Sequence, residues 1–172
     1  MERKTIIVIA ALTLFIIVFS VISYDTDDAV FQKTKEAAEN AFETPVSVNY
    51  ESEGFSFYLS DNATVEEVDA NNVILTINEQ LLLVFYNPFE SSKSKLNYDK
   101  VQENDNVLLE SFEDDEKFGY VRILPEEDAM YELQVGIGGV KITTISNRSN
   151  LEKNASEAMT IANSIISSEK QE

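Results

Sequence analysis

Two short runs carry residue types that can do covalent chemistry. Ser92-Lys93-Ser94-Lys95 is a literal Ser-x-x-Lys, in which a lysine can ease attack by a serine hydroxyl. Ser60-Asp61-Asn62 supplies the triplet that accompanies it in lysine-assisted serine acylation. Here the triplet precedes the Ser-x-x-Lys instead of following it, no Lys-Thr-Gly occurs, and both runs fall in segments that read as turns. Chance recurrence of short strings accounts for them. Gly136-Ile137-Gly138-Gly139 is glycine-rich, but a phosphate cradle needs a helix N-terminus directly after it, and Val140 to Ser146 reads as a strand. The stretch is a tight hairpin connection.

The acidic residues gather in three clusters: Asp25, Asp27 and Asp28; Glu113 to Glu116; and Glu126 to Asp128. Carboxylates can hold calcium, but none of the three follows the Asp-x-Asp-x-Asp-Gly loop or carries its glycine, so they read as solvated turns. Paired carboxylates could also hydrolyse a glycoside, although no tryptophan is present to stack a sugar. With no His and no Cys, Ser-His-Asp and Cys-His catalysis are excluded, as is His-ligated zinc or iron. The residue types point to no catalytic group, no metal and no cofactor. Phe55, Phe57, Phe85, Phe112 and Phe118 sit at strand spacing and read as core. Tyr58, Tyr120 and Tyr131 occupy alternate positions that can leave them exposed, and form the candidate contact patch.

These residues are positioned by an alternating chain between two helices. Ala29 to Glu43 reads as a helix, with Phe31, Ala38, Ala41 and Phe42 on one side, Asp27 or Asp28 as its cap, and Pro45 as its end. It lies against the domain or acts as a stalk. Strands are expected over Val46–Tyr50, Phe55–Leu59, Thr64–Val68, Val73–Ile77, Leu81–Tyr86, Leu108–Phe112, Gly119–Leu124, Ala129–Val135 and Val140–Ser146. Leu81–Tyr86 is apolar at every position, which predicts a central strand covered on both faces. Ser91 to Asn106 is a polar loop with at least one helical turn. A last helix follows, with Ser149 and Glu152 as a capping box and Leu151, Ala155, Ala158, Ala162 and Ile165 along its buried side.

Ahead of all this stands Thr5 to Ser23, uninterrupted by charge. Ile6 to Ser23 rises roughly 27 Å as a helix, close to the ~30 Å hydrocarbon core of a bilayer. Ile6, Ile7, Val8, Leu12, Leu14, Phe15, Ile16, Ile17, Val18, Phe19, Val21 and Ile22 are the residues expected to face lipid. Arg3 and Lys4 before the run place the N-terminus in the cytoplasm and everything beyond Tyr24 outside. The run exceeds the usual core of a cleaved leader and lacks Ala-x-Ala, which favours an uncleaved anchor over cleavage after Ser23. The expected organisation is a stub over residues 1–4, an anchor over 5–23, a juxtamembrane helix or stalk over 24–45, one α+β domain over 46–168 and a tail over 169–172. Setting aside Glu2, Arg3 and Lys4 from 31 acidic and 13 basic residues leaves 30 and 11, a net charge of −19 outside. That charge repels nucleic acid and anionic lipid and suits basic protein surfaces. Avoidance of cysteine in an exported chain fits a Gram-positive bacterium.

The order of elements after residue 46 resembles the PsbP-like fold. That family opens on a Tyr-x-x-x-Gly-Phe-x-Phe-x-x-Pro hairpin, which here reads Tyr50-Glu51-Ser52-Glu53-Gly54-Phe55-Ser56-Phe57-Tyr58-Leu59-Ser60, with Ser60 where proline is usual. The resemblance implies an α/β/α sandwich with an antiparallel sheet packed by a C-terminal helix. It also implies a non-enzymatic binding or assembly role, commonly anchored outside the membrane. It carries over no functional residue, because the matched positions are structural. The expectation is a single-pass, extracytoplasmic, non-enzymatic module of the bacterial cell envelope that binds an envelope protein. The alternatives are a carboxylate-based envelope hydrolase and a divalent-cation-responsive sensor.

Overall fold

The structure is a computed structural model that describes residues 26–168, together with Thr5, Ile9 and residues 12–15. Of the residues expected to face lipid, Leu12, Leu14 and Phe15 are helical and exposed, and the others lie outside the described residues. The Thr13 hydroxyl donates back to the Ile9 carbonyl at 2.9 Å. Among the described residues no helix is long and apolar enough to cross a membrane.

Helix α1 spans Asp27–Glu43. Its cap is Thr26, whose hydroxyl accepts from the Ala29 amide, rather than either aspartate. Asp27 and Asp28 instead occupy the first turn, where their charge favours the helix dipole. The helix is part of the domain: Thr34, Ala38, Ala41 and Phe42 are buried. A two-stranded hairpin follows, β1 (Tyr50–Glu51) with β2 (Ser56–Phe57), much shorter than the expected strands and separate from the main sheet. Its partners explain the shortness. Asn49 closes off both backbone groups of Leu59 with its side chain, and the Tyr58 amide donates to the Ser164 hydroxyl of the last helix.

The main sheet is antiparallel throughout and has seven strands: β3 (Ala63–Val68), β4 (Asn72–Ile77), β5 (Gln80–Tyr86), β6 (Leu108–Glu113), β7 (Phe118–Pro125), β8 (Met130–Ile137) and β9 (Val140–Asn147). Their spatial order is β3-β4-β5-β9-β8-β7-β6. Two meanders, β3–β5 and β6–β9, are thus joined edge to edge by β5 and β9. Helix α2 (Leu96–Asp99) sits in the long excursion between the meanders, and helix α3 (Leu151–Ser168) closes the chain. The turn before α3 is capped by Asn147, whose Oδ1 accepts from the Asn150 amide; Ser149, expected as the cap, donates to that same oxygen.

The inner face of the sheet carries α1 and α3. Leu75, Ile77, Leu82, Ile123, Leu133, Val135, Ile137 and Ile142 meet Leu151, Ala155, Met159, Ala162 and Ile165 in one fully buried core. Alanines on α3 let it approach closely, and alternation along each strand supplies the apolar face. Asn163 stitches the layer together. Its amide group donates to the carbonyls of Ala41, Phe42 and Thr44, the orphan acceptors at the end of α1. At the other end, the Arg148 guanidinium meets Asp27 at 2.5 Å. α1 and α3 therefore run side by side in the same direction. The protein is α+β, an antiparallel sheet with its C-terminal helix packed on it.

Candidate docking face

Among the described residues, the outer face is covered over one half only. Over β7 and β8 the excursion between the meanders lies flat on the sheet. Tyr98 stands edge-on to Phe118 and Tyr120, at ring separations of 5.4 and 5.9 Å. The Asn97 amide group donates to the Gly138 carbonyl at 3.2 Å. Arg122, buried, donates to Glu132 Oε1 at 2.6 Å, to Gln134 Oε1 at 3.0 Å and to Asn106 Oδ1 at 2.7 Å, which ties the far end of the excursion to the sheet. Gly136 and Gly138 are required here: a Cβ on the first would strike the Tyr120 ring, and one on the second the Ser91 carbonyl, at a φ of +52°. A segment that reads as a polar loop is the lid of half the sheet.

The other half, over β3, β4, β5 and β9, is left bare by the described residues. Leu81, Leu83 and Ile145 are 45, 47 and 47% exposed, and Ile74 and Phe85 are half-buried beside them. β5 is indeed an interior strand, but the expectation that both its faces are covered is corrected: Leu82, Val84 and Tyr86 are buried inward, while Leu81 and Leu83 look into open space. Strand alternation cannot show which face a distant loop will reach. A cleft of about 450 Å³ runs along this face, lined by Ile74, Leu83, Phe85, Thr143, Lys141 and Asp69 among others.

Two charges flank the cleft. Lys141 is half-buried with its ammonium 5.7 Å from the Phe85 ring centre, and among the described residues no carboxylate pairs with it. Asp69 is exposed and accepts from the Asn71 and Asn72 amides and the Asn72 side chain. Those hydrogen bonds, first that of the Asn71 amide, hold its carboxyl below the usual range.

The three tyrosines do not form a patch. Tyr120 is 2% exposed under the excursion, and burial drives its hydroxyl pKa up. Tyr131 is half-buried on the inner face, edge-on to Phe31 of α1. Tyr58 lines a small hollow against α3 with Ser60, Glu157 and Thr160. Nor do the two serine motifs meet. The Ser92 hydroxyl donates to the Glu116 carbonyl in the β6–β7 turn, and Lys95 pairs with Glu113 at 3.0 Å. Asn62 bonds Asn78 at the β4–β5 turn, toward the opposite end of the sheet. Within the Glu113 to Glu116 cluster, Asp114 accepts from the Glu116 and Lys117 amides and so closes its own turn. Among the described residues no three acidic side chains gather as a metal site.

The sequence reading missed the bare face, although one signal for it was present: β5 is apolar on both sides. No family model matches the chain, and no curated protein matches it.

Proposed function

We propose that the protein is a membrane-tethered, non-enzymatic binding module that docks an envelope protein through the bare half of its sheet. The observation that carries this reading is β5. A central strand apolar on both faces is a strand meant to be covered on both faces, and the described chain supplies one cover. Burying the remaining halves of Leu81, Leu83 and Ile145 contributes about 1 kcal/mol each toward an interface. The apolar run from Thr5 to Ser23, with its basic leading flank, supports the tether, and the domain stands outside the cytoplasm on that reading. The PsbP-like resemblance belongs to the same proposal. A sandwich with helices on both faces is compatible with α1 and α3 inside and α2 outside, and the family's binding and assembly roles agree with a docking face.

The test is photocrosslinking in intact membranes from the full chain. A photoreactive residue at Leu83 gives discrete protein adducts, and one at exposed Glu152 on α3 does not. Equal yields at the two positions, or none at Leu83, overturn the reading.

A further inference from the structure

The bare face is self-complementary, and we infer that its occupant is a second copy of this chain, stacked face to face about a two-fold axis running along the strands. This rests on the reading of that face as a docking surface but not on the tether. Asn72, Phe85 and Lys141 are direct partners across β4, β5 and β9, and so form one row across the face. Adjacent strands lie about 4.8 Å apart, so the ends of the row are separated by about 10 Å. At one end Asp69 is hydrogen-bonded to Asn72; at the other stands Lys141, with which no carboxylate pairs among the described residues. A two-fold axis along the strands, placed over β5, exchanges the ends of this row without changing its height. Lys141 of each copy then meets Asp69 of the other, twice over, and Leu81, Leu83 and Phe85 meet their own counterparts on the axis.

Such a contact is isologous, as homodimer interfaces are, and closes at two copies. Aligned sheets pack about 10 Å apart, a gap that leucine and phenylalanine side chains fill. Glu132, on β8, is already paired with Arg122. The net charge of −18 opposes approach at long range, but beyond about 8 Å salt screens it at physiological ionic strength. A second copy meets cation with anion on both sides of the apolar stripe at once.

The natural chain has no cysteine, so single-cysteine variants report without background. In membranes containing the full chain, Leu83→Cys is expected to form a disulfide-linked species of twice the chain's mass under mild oxidation, and Glu152→Cys is not. Lys141→Glu should weaken self-association of the purified full chain in detergent by about tenfold or more, as should Asp69→Lys. Because Asp69 also holds its turn, the decisive measurement is a mixture. Lys141→Glu chains combined with Asp69→Lys chains regain association at the unmodified level, since every pair across the mixed dimer is again opposite in charge. Failure of the mixture to associate while each variant remains folded overturns the proposal. So does an adduct at residue 83 with a different protein only, which leaves the docking reading standing. The absence of any adduct there removes both.

Discussion

At the scale of single residues, two carboxylates respond to pH in opposite directions. Asp69 has its pKa held below the ordinary aspartate value of 3.8 by turn hydrogen bonds, so its contribution to stability is present above that value and is lost as pH falls through the lowered one. Glu157, on α3, is raised above 4.5, chiefly by desolvation on burial and only partly offset by Lys153. Its native form holds a proton that the unfolded chain gives up, so Glu157 costs stability as pH rises from 4.5 through its raised pKa. Glu157→Gln removes that cost. In urea titrations the variant is expected to gain on the unmodified protein as pH climbs through that window, with no gain below it. A difference independent of pH would refute the assignment. Caps show how far single residues can be read ahead of the fold. A hydroxyl or carboxylate near each helix start was legible, but whether Thr26 or Asp27 caps α1, and Asn147 or Ser149 the last helix, depends on where the first turn begins. That is set by packing against the sheet. Tyr120 was misplaced for a similar reason: its position alternates outward, and only the excursion that covers it makes it core.

At the scale of elements, every strand of the main sheet lies within a residue or two of its expected place, because alternation is a local property. The order β3-β4-β5-β9-β8-β7-β6 was not legible, since it depends on which strand edges meet after long separations in sequence. β5 joins the two kinds of information. Its neighbours Leu82 and Leu83 are the same residue type in the same interior strand, yet one is wholly buried and the other nearly half exposed. Leu82→Ala is expected to cost about 2–5 kcal/mol, as for other core leucines. Leu83→Ser should change the stability of the dilute, monomeric chain by about 0.5 kcal/mol or less while abolishing self-association. Chemical denaturation at low and high protein concentration separates the two. A large loss for Leu83→Ser in the dilute chain would mean that the face is covered from within.

At the scale of the whole molecule, the acidic balance and the apolar N-terminal run set the setting in which the domain is proposed to work. The mature chain is expected to sediment with membranes, to resist an alkaline wash and to carry the mass of the full sequence. A mass beginning at Tyr24 would make it a released protein. The joining of two meanders by β5 and β9 has a separate consequence, in time rather than in space. β3 to β5 can pair as soon as they are made, but β5 must wait for about 55 more residues before β9 exists to meet it. Until then an apolar strand stands with an unpaired edge and both faces uncovered, the kind of template on which nascent chains aggregate. A holding chaperone that meets the chain in this interval is expected to find its target at Leu81–Tyr86.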